Sequence, residues 1–206
     1  MFLFLRTITL VFVLFFSFVF SSDVRAQPFA VYSGTGDDVQ TISKPDKNMP
    51  ALLAISGNSA GRHFAVIARD GSGNRVRALV NTTDAYAGIV PIDLPPRTDT
   101  TLLEIKASGG WRIKVYSIGA AQRAKVPGVF NGEGDNLIVL KGNPKLANVR
   151  GNSASRHFAV IAYDKGGNRL GAKVNTTDPY NGTIILPSRT LLLEIKAVGG
   201  WTVDLQ

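Results

Sequence analysis

Two acidic turns hold the best candidates for ion chemistry in this sequence: Asp37 and Asp38 in "GTGDD", and Asp135 and Asn136 in "GEGDN". Carboxylate and amide oxygens on a glycine-flexed loop are a beginning of a calcium site, which needs about six to eight oxygens. One such loop falls short of that number. Asp70 with Asn74, or Asp164 with Asn168, would have to be brought alongside. The same residues have a second role available to them, because Asp and Asn cap turns by accepting hydrogen bonds from nearby backbone amides. Ca2+ is the only cofactor these residues suggest.

Other polar candidates recur in pairs. His63 and His157 follow Arg62 and Arg156 and precede Phe64 and Phe158. Two imidazoles make an incomplete metal site, so packing at the start of a strand is expected of them. Arg62 and Arg156 offer charge to an anionic ligand, or lay apolar stems over a core edge. Tyr86 and Tyr180 lie in the turn-rich stretches "NTTDAYAG" and "NTTDPYNG". A half-exposed ring there suits stacking on a sugar, and a hydroxyl that pins a loop is the other use of such a tyrosine. "NTT" at 81 and 175 and "NGT" at 181 fit the glycosylation sequon, although their setting reads as turn chemistry.

Catalytic arrangements find little support. The chain has no H-E-x-x-H and no phosphate-binding glycine loop. Glu104 and Glu194 alternate with Lys106 and Lys196, which places them on a solvent face in weak ion pairs rather than in a cleft. A non-enzyme is expected. With no cysteine anywhere, thiol catalysis and thiolate metal sites are excluded, and each domain must be held by apolar burial alone.

Residues 1–26 differ in kind from the rest: one Arg at position 6, the uncharged run "TITLVFVLFFSFVF", then a polar stretch ending in Ala26. This is the pattern of a secretory signal peptide cleaved after Ala26, and the run is shorter than the roughly 20 apolar residues of a membrane-spanning helix. Beyond it, no apolar stretch is long enough to form such a helix. Residues 27–206 carry 21 basic and 14 acidic residues, a formal charge of +7. An exported basic protein points away from nucleic acid and toward an anionic surface or polymer.

What must position these side chains is a repeat. "GNSAGRHFAVIARD" at 57–70 and "GNSASRHFAVIAYD" at 151–164 agree at twelve of fourteen positions. "LLEIKASGGW" at 102–111 matches "LLEIKAVGGW" at 192–201, and "YSGTGDDV" at 32–39 answers "FNGEGDNL" at 130–137. Two copies are too few for a solenoid, so the expected organisation is two tandem domains, residues 27–116 and 129–206, joined by a linker at 117–128. Within each copy the period is two. "HFAVIA" is apolar on both parities, as a central strand is, whereas "WRIKV" and "WTVDL" place Trp111 and Trp201 inward with polar residues outward. "DGSGN" and "DKGGN" read as hairpin turns. The expected fold is all-β: two antiparallel sandwiches, jelly-roll or immunoglobulin-like.

The succession "SGTGDDV", "HFAVIARD", "LVNTTDAYAG" and "LLEIKASGGW" resembles a small β-sandwich repeat of exported bacterial proteins, often found in tandem or beside other surface modules. That resemblance covers nearly all of residues 29–206 and implies a secreted, periplasmic or cell-surface module, with no catalytic residues to carry over. The resulting expectation is a non-enzymatic binding or adhesion module. Its partner would be a polysaccharide or an anionic surface polymer, with an accessory envelope protein acting through protein contacts as the alternative.

Overall fold

The computed structural model describes residues 26–96 and 99–206, so the expected signal peptide lies outside the described residues except for Ala26. The first copy forms β1 (Ala30–Thr35), β2 (Asp38–Thr41), β3 (Ala51–Gly57), β4 (Phe64–Arg69), β5 (Arg75–Thr82), β6 (Tyr86–Ile92), β7 (Leu102–Lys106) and β8 (Gly110–Ser117). These make two antiparallel sheets, ordered β1-β8-β3-β6 and β2-β7-β4-β5. Every connection except the β4–β5 hairpin crosses between sheets, which is the jelly-roll arrangement of two Greek keys.

The second copy repeats it with β10 (Gly128–Glu133), β11 (Asn136–Lys141), β12 (Leu146–Gly151), β13 (Phe158–Tyr163), β14 (Arg169–Thr176), β15 (Tyr180–Ile185), β16 (Leu192–Lys196) and β17 (Gly200–Leu205). Its sheets are β10-β17-β12-β15 and a five-stranded sheet ending in β11 and β9 (Gln122–Lys125). The chain is thus two tandem β-sandwiches, and of the two expected outlines the jelly-roll is the one its strand order follows.

Side-chain parity builds the cores. Trp111 and Trp201 are each 4% exposed, and each indole N–H donates to a turn carbonyl, of Gly36 at 3.1 Å and Gly134 at 2.9 Å. Phe64 and Phe158 are fully buried on the inner strands β4 and β13. Burying a ring of that size stabilises by about 1.5–3 kcal/mol. The expected hairpin turns form as read: Asp70 accepts from the amides of Ser72 and Asn74, and Asp164 from those of Gly166 and Asn168.

The segment expected to be a linker is part of the fold. Ser117 closes β8, a 3-10 turn covers Ile118–Ala120, and β9 then pairs in parallel with β11, from Gln122 opposite Ile138 to Lys125 opposite Lys141. Ala124 points into the core of the second sandwich.

A third apolar cluster joins the two sandwiches. Leu52, Ile89 and Tyr116, from the outer face of the first copy, pack with Leu137, Ile161, Tyr163 and Leu192 from the second. The repeats are therefore fused along a face, and the polar groups caught in that seam are set by it.

Candidate functional site

The seam gathers several of the residues singled out above. Asp135 sits in the turn between β10 and β11 and is 8% exposed. Its Oδ1 accepts from the Ala197 amide at 2.9 Å and its Oδ2 from the Tyr86 hydroxyl at 2.8 Å. The Asp135 carbonyl also accepts from the Ile89 amide across the seam, at 2.8 Å. Burial raises the Asp135 carboxyl above its ordinary range, against the pull of Lys196, whose Nζ stands at 4.0 Å. Burial likewise raises the Tyr86 phenol well above its usual value, with the neighbouring Asp135 charge adding to it.

Glu194 departs from expectation. Its side chain is 1% exposed, ion-paired to Arg77 of the first repeat and hydrogen-bonded to the Tyr163 hydroxyl at 2.5 Å. Burial and the Glu194 charge together hold the Tyr163 phenol far above its usual value. Glu104, its counterpart, is partly exposed and pairs with Arg69 and Lys106, close to the expected arrangement. The correction for Glu194 has a simple cause: the outer face of β16 is covered by the other repeat, and that of β7 is not.

In the first acidic turn both carboxylates accept from the backbone. Asp37 Oδ1 accepts from the Ala107 amide at 2.9 Å and Asp38 Oδ1 from the Val39 amide at 2.8 Å. Asp37 lies beside His63, at the start of β4, whereas the Asp70 turn follows the end of β4, so the fold keeps the two turns apart. Among the described residues no three His, Cys, Asp or Glu gather where a metal could be held.

Arg62 is exposed, with its backbone amide donating to Asn58 Oδ1 at 2.9 Å. Arg156 reaches across the seam to Asp84 at 3.3 Å. His63 and His157 bond Asn81 and Asn175, each within its own repeat. Tyr180 is partly buried against Phe158, at a ring separation of 6.3 Å, and its hydroxyl overlies Gly182. Tyr86 and Tyr180 are thus not equivalent, because only Tyr86 meets the other repeat.

Sequence reasoning missed Asn58 and Asn152. Both hold φ of +63° and pin two loops at once: Asn58 accepts from the Arg62 amide and donates to the Asp84 carbonyl, and Asn152 does the same with Arg156 and Asp178. Their recurrence in "GNSA" was the available signal.

A cleft of about 520 Å³ opens at one edge of the second sandwich, where β9 and β11 meet β10 and β17. Gln122, Asn131, Glu133, Arg150 and Thr202 line it around the backbone of the Trp201 strand, and Asn136 lies in its floor. Asn136 is fully buried. Its Nδ2 donates to Gln122 Oε1 at 3.2 Å, and its Oδ1 has no hydrogen-bond partner. None of these residues but Asn136 had been singled out, and Asn136 only as a calcium ligand. Their counterparts in the first copy include Ser33, Asp38, Ser56 and Arg112, and the first copy has no strand in the place of β9 among the described residues.

No protein-family model matches the chain, and no curated protein matches its sequence. Two solved structures align to it at low similarity. The guanosine-bound regulatory subunit of a cAMP-independent protein kinase A from Trypanosoma cruzi is 10% identical, with 85% of this chain and 71% of that chain covered and a TM-score of 0.24. The major capsid protein P2 of bacteriophage PM2 is 9% identical, with 86% and 98% covered and a TM-score of 0.17.

Proposed function

We propose that this protein is an exported, non-enzymatic binding module that takes its ligand in the edge cleft of the second repeat. The observation that carries the reading is Asn136 Oδ1, a fully buried acceptor without a partner in the floor of a cleft lined by polar side chains. A buried polar atom left unmade costs about 1–3 kcal/mol, and a bound ligand relieves that cost. The resemblance to exported repeats and the hydrophobic leader support export to a secreted, periplasmic or surface location.

Polysaccharide is the leading partner class. The test is retention of residues 27–206 on immobilised neutral and acidic polysaccharides, with Thr202→Trp as a substitution that fills the cleft. Retention lost in that variant supports the reading; equal retention by both proteins, or none by either, removes it. Asp37, Asp38 and Asp135 act in this reading as backbone caps rather than calcium ligands. Unfolding midpoints that agree within a degree in excess calcium and in chelator are expected, and a rise of several degrees with calcium would restore the ion-site reading.

A second reading has its own observation. Val39, Val129 and Ile185 are 62%, 62% and 75% exposed on the edge strands β2, β10 and β15, and exposed apolar edges favour contact with another protein. An envelope partner captured equally well by the Thr202→Trp protein would favour that accessory role.

A further inference from the structure

The chemistry of the cleft narrows the ligand, and the narrowing rests on the binding reading above. Its charged side chains balance: Glu133 contributes one negative charge and Arg150 one positive, with the Arg150 Nε already donating to Asn181 Oδ1 at 3.2 Å. The rest is amide and hydroxyl. Gln122 and Asn131 are carboxamides, and the Thr202 hydroxyl donates to Asn131 Oδ1 at 2.8 Å, which leaves the Asn131 amide nitrogen directed by that bond. A polyanion would meet Glu133 with like charge and find only one cation, Arg150, among the lining residues. A neutral molecule with several hydroxyls matches the alternating donors and acceptors, because each hydroxyl both gives and accepts.

The buried acceptor fixes the polarity of the key contact. Asn136 Oδ1 needs a donor, and the half-exposed Gln122 stands over Asn136 through their amide–amide bond. An incoming O–H bound for Asn136 Oδ1 meets Gln122, whose Oε1 holds the Asn136 amide nitrogen. β9 is what makes this possible, since Gln122 reaches the cleft only because the inter-repeat segment pairs with β11.

We propose that the edge cleft of the second repeat binds a neutral saccharide unit, one hydroxyl of which donates to Asn136 Oδ1 while Gln122 moves aside. The experiment uses isotope-labelled protein of residues 27–206. It is titrated separately with glucose, galactose, mannose and N-acetylglucosamine, and in parallel with glucuronate and inorganic sulfate. At least one neutral sugar is expected to move the side-chain amide signals of Asn136, Gln122 and Asn131 saturably. Asn136→Ala should weaken that binding about tenfold or more, and Gln122→Ala, on the rim and so independent of any folding defect at Asn136, should alter it as well.

Response of the cleft to glucuronate or sulfate alone overturns the neutral-sugar proposal and leaves the binding reading standing. Sugar binding unchanged by both substitutions, or a water held on Asn136 Oδ1 throughout saturation, also overturns it. No movement of any cleft signal with any of the six probes overturns both.

Discussion

Single residues show most directly what the seam demands. Gly134 has φ of +67°, and a Cβ built on it would fall 2.4 Å from the Ala87 carbonyl oxygen of the other repeat. Gly36 occupies the same turn in the first copy, with φ of +78° and nothing closer than 4.0 Å. Gly36→Ala should therefore cost only the left-handed backbone strain, about 1–2 kcal/mol. Gly134→Ala should lose a further 1–3 kcal/mol or so from the backbone clash. Urea denaturation of the two variants checks this, and equal losses would mean that the turn does not need its close approach. Asp135 gives a pH signature. Its folded carboxyl is raised by burial, so the folded state binds the proton more tightly than the unfolded one. Stability then falls as pH rises from the ordinary aspartate value of 3.8 through the raised folded value. Asp135→Asn should flatten that decline, read from unfolding midpoints of both proteins across the acid range.

At the level of elements, β7 and β16 are the same five residues, Leu-Leu-Glu-Ile-Lys, in different surroundings. The inward leucine and isoleucine are buried in both strands, but only in β16 is the glutamate buried as well. Period two was legible in the sequence because it is a property of one strand. Burial of the second face was not, because it depends on what arrives from elsewhere. β9 is a related case. "RAKVP" at 123–127 echoes "RAQP" at 25–28, a signal that the linker belongs to the second repeat, yet its small and charged residues read as a connector. Amide hydrogen exchange should place Arg123 and Ala124 with the slowly exchanging residues of β11. Exchange at the rate of an open loop would show that β9 does not stay paired.

For the whole molecule, the expectation is cooperative unfolding of one unit. The seam buries apolar residues from both copies together with Glu194, ion-paired to the partly exposed Arg77. Arg77→Ala leaves Glu194 buried without its main cation and should cost about 3 kcal/mol. Replacing both, as Arg77→Met with Glu194→Leu, should cost less than the single change, because the uncompensated charge is gone as well. A wild-type protein showing two separate urea transitions would contradict a fused unit. The ends of this pair differ chemically from its middle. Where the first copy brings Ala54, Ile89 and Tyr116 to the seam, the second has Asn148, Thr183 and Gln206 on its outward face; where the second brings Leu137 and Tyr163, the first has Val39 and Arg69. The two outer faces of the pair therefore do not repeat the side chains that form the seam.

The sequence by itself determined much of the sandwich of each copy: the strands at "HFAVIA", "LLEIK" and the tryptophan-headed segment, the inward tryptophans, the turn chemistry and the duplication. Those follow from alternation along one strand and from local backbone preferences, which need no knowledge of distant partners. Only the tertiary structure decided that Glu194 is buried and Glu104 is not, that Tyr86 is bound at a seam and Tyr180 is not, and that a cleft forms beside β9. Each of these depends on which outer face another part of the chain comes to cover, and two nearly identical segments carry no local sign of that difference.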